Sequence, residues 1–241
     1  MKLISKLLLI VFSFIFLLSC TKDNTTNPQQ SETMADYMPL TIGSWWKYDL
    51  YNIDGLGNRY NKTTGIFTIT GTKIVDGKNA IVLTGQKENT DSIDEVVYYT
   101  IENEKLLLYY PHAQDIGWFV YADFKFDSIV LKDTTYITEY SGTTKENHDR
   151  MTLKKGAEKD FTIKNKIIHG IEFVSEGIYI IKYRKDGFDI IDSTISTAHN
   201  WFGKNVGYIY GESTLKYTGT NYPLPYIMIH DESVLIDYYV K

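Results

Sequence analysis

From Trp45 onward the chain alternates apolar and polar side chains over short runs. In Ser44-Trp45-Trp46-Lys47-Tyr48-Asp49-Leu50 the alternation puts Trp46, Tyr48 and Leu50 on one face and Lys47 and Asp49 on the other. That period of two is the signature of a half-buried strand. Residues 66–70, 80–83, 178–183 and 235–240 repeat it, and their Tyr, Ile, Val and Thr suit a pleated surface. Asp54-Gly55, Asp76-Gly77 and Asp186-Gly187 stand between such runs as tight-turn signals. No long window carries capped helical spacing. Residues 194–200 are the one short stretch that reads as helix. The pattern predicts a mainly β fold: a single strongly curved antiparallel sheet or open barrel with few short helices.

Two segments echo each other. Phe67-Thr68-Ile69 followed by Lys73-Ile74-Val75-Asp76-Gly77 recurs as Phe161-Thr162-Ile163 followed by Lys166-Ile167-Ile168-His169-Gly170. Two similar halves and two strand-turn-strand units obeying the same alternation rules are both open readings. A hairpin follows each: Val96-Val97-Tyr98-Tyr99 turns at residues 102–104 into Leu106-Leu107-Leu108-Tyr109-Tyr110, and a second turns at Asp186-Gly187. Both faces of the first hairpin are apolar or aromatic, whereas a sheet wet on one side alternates. Something covers its second face: the protein's own chain, a partner or a ligand.

The start of the chain follows a different pattern. Lys2 and Lys6 precede an apolar block over residues 7–18, broken only by Ser13. As a helix it rises about 18 Å at ~1.5 Å per residue, short of a hydrocarbon core of ~30 Å. A basic start, a short apolar core and a small residue before a cut site describe a secretory signal over residues 1–19. The block ends on Cys20, the only cysteine in 241 residues. Leu17-Leu18-Ser19-Cys20 resembles the bacterial lipobox. Leu17, Ser19 and Cys20 fit it, and Leu18 is bulkier than its usual residue. The resemblance implies cleavage before Cys20, a diacylglycerol thioether on its sulfur and an acylated amino group. Each buried methylene contributes about 0.8 kcal/mol, so two or three acyl chains hold a protein where one is marginal. The thiol is then consumed and no disulfide forms. Residues 21–33 carry no aliphatic or aromatic side chain and cannot bury a core. Residues 20–34 are therefore read as the lipidated cysteine and a tether spanning roughly 20 Å, and residues 35–241 as the β-domain.

Charge narrows the partners. The chain has 25 basic and 30 acidic residues, net −5, and loss of Lys2 and Lys6 with the signal moves the balance to −7. An acidic body argues against nucleic acid and against adsorption to anionic lipid, leaving the lipid anchor as the membrane contact. The expected location is the outer membrane, lipid-anchored and facing the periplasm or the cell surface. Thr21 offers no aspartate-type retention signal, and Lys22-Asp23 resembles the acidic export signals of surface lipoproteins.

Chemistry-bearing motifs are missing. The histidines, at 112, 148, 169, 199 and 230, lack the spacing that sets two ligands on one metal. Nucleophile elbows, phosphate-cradling loops and calcium loops do not occur. Acids cluster at Asp91, Asp94 and Glu95 and at Asp231 and Glu232 beside His230. A glycosidase needs only two carboxyls at the right separation, and turn acids on a solvated surface look the same. The expectation is no catalysis, no metal and no cofactor. Aromatics remain, and Trp118, with Tyr98 and Tyr109 of the hairpin, is the candidate ligand-binding group.

Tyr37-Met38-Pro39-Leu40-Thr41-Ile42-Gly43-Ser44-Trp45-Trp46-Lys47-Tyr48 resembles the opening of uncharacterised Bacteroidota-type lipoproteins, through Tyr37, Pro39, Leu40, Gly43, Trp46 and Tyr48. Trp201-Phe202-Gly203-Lys204-Asn205-Val206-Gly207-Tyr208-Ile209 resembles a downstream strand of the same group. The group is distantly similar to the lipoprotein-carrier (LolA/LolB-like) architecture, a curved sheet around an apolar concavity. The leading expectation is a lipid-anchored, non-catalytic envelope lipoprotein whose β-domain serves binding or assembly, with another envelope protein, an apolar ligand or a glycan as partner. A carrier or sensor of an apolar ligand and a hydrolase of envelope polysaccharide are the alternatives.

Overall fold

The alternating runs become strands because each finds hydrogen-bonding neighbours, and among the described residues one short helical turn precedes them. The computed structural model describes residues 32–88, 93, 95–109, 117–140, 142–220 and 222–241. The expected signal and lipobox (Leu17, Leu18, Ser19, Cys20), Asp91, Asp94, Tyr110 and His112 lie outside the described residues. Residues 33–241 form one body. Helix α1 is Met34–Tyr37; the strands are β1 Trp45–Ile53, β2 Arg59–Val75, β3 Lys78–Lys87, β4 Glu95–Glu102, β5 Lys105–Tyr109 and β6 Trp118–Asp123. They continue as β7 Ser128–Tyr140, β8 Thr143–Ile163, β9 Lys166–Lys185, β10 Phe188–Gly203, β11 Gly207–Gly219 and β12 Tyr222–Tyr239.

All twelve lie in one antiparallel sheet of order β6-β5-β4-β3-β2-β1-β12-β11-β10-β9-β8-β7. Neighbours in the sheet are neighbours in the chain, with one exception: β1 pairs with β12, from Trp45 opposite Tyr239 to Asn52 opposite Asp231. The two edges, β6 and β7, follow each other in the chain. The sheet curls until they nearly meet, a barrel with one seam. Across the seam Leu106 and Ala122 pack with Leu153, Ile171 and Phe173.

Two-residue turns with both residues at positive φ join β2 to β3 (Asp76, Gly77), β4 to β5 (Asn103, Glu104), β8 to β9 (Lys164, Asn165) and β9 to β10 (Asp186, Gly187). Such turns match the twist of antiparallel strands. Asp54-Gly55 differs. Asp54 heads a longer loop, its Oδ1 accepting the Leu56 and Asn58 N–H groups at 2.9 and 2.8 Å.

Residues 194–200 are not helical; they lie inside β10. Strand β10 is paired on both sides, Thr194 opposite Tyr179 of β9 and Tyr217 of β11. Ladder bonds to two strands and the β-branched Thr194, Ile195 and Thr197 outweigh any local helical tendency. The segment expected as a single downstream strand is likewise a hairpin, β10 ending at Gly203 and β11 starting at Gly207. The two echoing segments sit differently: Phe67 and Lys73 share β2, whereas Phe161 ends β8 and Lys166 begins β9.

The apolar hairpin of β4 and β5 has both faces covered by the chain itself. Val97 and Leu106 are buried inside the barrel. Outside, Tyr98, Tyr109 and Trp118 are register partners in a row, and Thr100 and Leu107 on that face are buried.

Inside, rings replace the helix that a wide barrel would need. Phe67, Tyr48, Tyr208, Phe202, Phe173, Phe124 and Tyr37 touch in succession, with centroids between 4.9 and 5.8 Å apart. A second cluster forms where Phe161 meets Trp201 edge to face at 5.2 Å. There Gly203 lies under Ile168 and Ile209, which leave no room for a Cβ.

Leu106 is 0% exposed and anchors the seam from the β5 side. Leu106→Ala is expected to destabilise the protein by ~2–5 kcal/mol, the range for truncating a buried leucine. A urea denaturation midpoint equal to wild type would contradict this account of the seam.

Candidate binding site inside the barrel

One end of the barrel is closed by the segment before β1. In α1, Met34 and Tyr37 are 0% exposed. The Met34 N–H donates to Glu104 Oε2 at 2.9 Å, and the Asn205 N–H donates to the Asp36 carbonyl at 2.6 Å. The segment thus ties the β4–β5 turn to the β10–β11 turn. Asp36 accepts the Thr33 N–H and hydroxyl at 2.8 and 2.9 Å, and these bonds hold its carboxyl below the ordinary value. The Trp46 indole N–H donates to the Val206 carbonyl beside this plug.

The interior above the plug is hollow. A lower cavity of about 190 Å³ is walled by Trp46, Tyr48, Phe67, Tyr99, Tyr121 and Tyr208, with Glu95 at its side. An upper cavity of about 350 Å³ opens past Asn52, Asn61, Thr63, Ser213 and Asp231. Leu50, Tyr208 and Ser233 line both, so the two adjoin at a neck formed by these side chains. Strand geometry explains the arrangement. Tyr48 and Leu50 alternate inward on β1, Glu95, Val97 and Tyr99 on β4, and Tyr208, Gly211 and Ser213 face the same way around a bulge on β11.

A neutral hydrogen-bond network fixes the neck. Tyr48 Oη donates to the Tyr208 carbonyl at 2.7 Å, and Tyr121 Oη donates to Asn200 Oδ1 at 3.0 Å. Tyr208 Oη bonds Ser233 Oγ at 3.0 Å. Burial pushes the phenols of Tyr48, Tyr121 and Tyr208 above their usual range, so all three stay un-ionised donors. Gly211 is required here, because a Cβ on it would overlap the Tyr208 hydroxyl.

Of the acids around the mouth, Asp231 faces inward, while Glu212 and Glu232 alternate to the outer face of the rim. There Glu232, buried, is held by Arg59 in a two-pronged pair whose Nη2 contact is 2.8 Å. Glu212 meets His230 Nε2 at 2.7 Å and accepts the Tyr210 hydroxyl at 3.1 Å. The His230 hydrogen bond, followed by weaker contributions, holds the Glu212 carboxyl below its ordinary value. Asp231 accepts the Asn52 amide at 2.6 Å.

Of the residues singled out from sequence, Tyr98, Tyr109 and Trp118 do come together, Tyr98 to Tyr109 at 6.2 Å and Tyr109 to Trp118 at 5.4 Å. They lie on the outer face, away from the cavity, and their planes are inclined at 63° and 57°. Rings packed edge to face against one another do not present a flat stacking platform. Glu95 and Asp231, in the sequence only members of acid clusters, face the cavities, while Glu232 beside Asp231 points outward to Arg59. Tyr121, Tyr208 and Asn200 escaped sequence reading. Asn200 alone gave a signal, a polar residue set directly before Trp201-Phe202.

No family model matches the chain, and no curated protein matches its sequence. Two solved structures resemble it. A candidate lipoprotein from Parabacteroides distasonis is 12% identical, with a TM-score of 0.45 over 84% of this chain and 98% of that one. A candidate exported protein with a YmcC-like fold from Bacteroides fragilis is 7% identical, with a TM-score of 0.39 over the same shares. Neither likeness bears on chemistry.

Because the Glu212 carboxyl is lowered in the folded state, its contribution to stability is present above its ordinary value of 4.5 and is lost as pH falls through the lowered one. Solvent screening limits that contribution to about 1 kcal/mol or less. Glu212→Gln should therefore be less stable than wild type at neutral pH, with the gap closing as pH falls below the ordinary carboxylate value and through the lowered one. Urea midpoints whose separation did not change with pH would contradict the pairing.

Proposed function

We propose that this chain is a lipid-anchored, non-catalytic envelope lipoprotein whose barrel binds a small molecule. The observation that carries the reading is the hollow interior: an open polar mouth leads through a narrow neck to an aromatic chamber, and the far end is plugged. Pockets that hold drug-sized ligands run from ~300 to 1,000 Å³. The lower chamber, at about 190 Å³, favours a ligand smaller than a lipid, which argues against a lipid carrier. The rings that fill the concavity take the place of the helices that such carriers use.

The hydrolase alternative loses support at the mouth. A glycosidase needs one carboxyl kept protonated by its surroundings. Asp231, which faces the mouth, accepts the Asn52 amide, and the neighbouring Glu212 and Glu232 are engaged on the outer face by His230 and Arg59. Ser213 and Ser233 line the cavity, and among the described residues no histidine joins them there.

The anchor belongs to the same proposal. The lipobox at Leu17, Leu18, Ser19 and Cys20 supports acylation of Cys20 and a place in the outer membrane. The mouth lies toward the end of β1 opposite the plug where the tether joins, which suits a ligand arriving from the aqueous side.

Cells fed an alkynyl fatty acid should label the wild-type protein and leave Cys20→Ser unmarked. Equal labelling of both, or of neither, would remove the anchor. Native mass spectrometry of the mature protein extracted from its own cells should show a small bound mass. That mass should be missing from Leu50→Trp, which fills the neck. A ligand-free wild-type spectrum would count against a binding role.

A further inference from the structure

Resting on that reading of the cavity as a ligand site, the lining assigns the ligand's charge. We propose that the barrel binds a small organic ammonium cation, with its alkylated nitrogen held in the lower chamber. The first observation is the walls. Six aromatic side chains surround the chamber: Trp46, Tyr48, Phe67, Tyr99, Tyr121 and Tyr208. The hydroxyls of Tyr48, Tyr121 and Tyr208 are already committed to the Tyr208 carbonyl, Asn200 and Ser233. What these phenols offer a ligand is therefore ring. Aromatic faces carry negative electrostatic potential, and a cation within ~6 Å of a ring centroid is attracted, most strongly where water is excluded.

The second observation is independent of the first. The ionisable side chains that face into the two cavities, tyrosines aside, are carboxylates: Glu95 in the chamber and Asp231 at the mouth. Among the described residues no lysine, arginine or histidine lines either cavity. Glu212 and Glu232 alternate to the outer face of the rim, where His230 and Arg59 pair with them, while Asp231 is held by the neutral amide of Asn52. An anion entering would meet like charge at Asp231 and again at Glu95, and a cation is drawn in by both.

Size and solvation select among cations. The chamber's ~190 Å³ is on the scale of the ~150 Å³ cavity that accommodates benzene. That scale suits a trimethylammonium group and excludes a bulky amphiphile. A primary ammonium carries three N–H donors, each needing an acceptor when buried. A quaternary nitrogen carries none, so its transfer into a chamber walled by rings leaves no donor unsatisfied.

The test compares choline with neohexanol, the uncharged isostere in which a quaternary carbon replaces the nitrogen. Isothermal titration uses the full mature protein in a nonionic detergent. Choline should bind at least about tenfold more tightly than neohexanol, given the ~2 kcal/mol that a desolvated cation–ring contact contributes. Asp231→Asn and Glu95→Gln should each weaken choline severalfold and leave neohexanol unchanged, with thermal melts confirming that the variants fold. If a variant fails to fold, the comparison on wild type alone decides. Equal affinities, or tighter neohexanol, would overturn the charge assignment and leave a site for neutral molecules. Choline binding that ignores both carboxylate changes would overturn it as well. Binding of neither compound would end the proposal, while a small mass retained in the native spectrum would still uphold the broader reading.

Discussion

The file of rings from Phe67 to Tyr37 is the constraint on which the barrel depends. A twelve-stranded sheet curled on itself encloses more space than alternating aliphatic side chains fill, and the described residues place no long helix inside it. Aromatic side chains bury ~150–250 Å² each and hold defined edge-to-face geometry. The seven in the file come from β2, β1, β11, β10, β9, the link between β6 and β7, and α1. Each sector of the sheet is thereby tied to the sector across from it. The file also explains the cavity. Rings are rigid and touch at edges, so a stack of them leaves a chamber where flexible side chains would close it.

The tyrosines in the file and around it impose a further condition. A buried phenol must place its hydroxyl on a partner, or the burial costs more than the ring contributes. Asn200 serves Tyr121, Ser233 serves Tyr208, and the Tyr208 carbonyl serves Tyr48. Gly211 then has to lack a side chain so that the Tyr208 hydroxyl can pass over it. One choice, filling a barrel with tyrosine, thus fixes the identity of several residues distant in the chain. The same hydroxyls, once engaged, leave Tyr48, Tyr121 and Tyr208 offering the chamber their rings.

Much of the fold was legible in the sequence and the site largely was not, for a physical reason. Alternation is a local property, so Trp46, Tyr48 and Leu50 could be assigned to one face from seven residues, and the two-residue turns at Asp76-Gly77 and Asp186-Gly187 declared themselves. The curved antiparallel class followed from the number of such runs and the lack of helical spacing. Residues 194–200 were misread because their strand character comes from β9 and β11 on either side, not from their own composition. The binding cavity depends on register between distant strands. Nothing near Glu95 indicates that it faces Phe67, and nothing near Asp231 indicates Asn52. Trp118, Tyr98 and Tyr109 stood out in the sequence as candidate ligand contacts, yet their adjacency comes from strand register, and which face they occupy depends on how the hairpin is set in the barrel.

The ends of the body meet. Lys241 donates its N–H to Ser44 Oγ at 3.1 Å, and β1 pairs with β12 along its length. The sheet's free edges, by contrast, belong to two strands joined by the short link over residues 124–127. The natural chain must therefore close its longest loop to form the β1–β12 ladder, a slow kind of contact to make. A circularly permuted chain, opened within that link and joined between Lys241 and the plug, would trace all twelve strands in strict spatial order. Every ladder would then be a local one, the join included. The barrel's contact order is thus a property of where the chain was cut rather than of the architecture, and the seam is the natural place to cut it again.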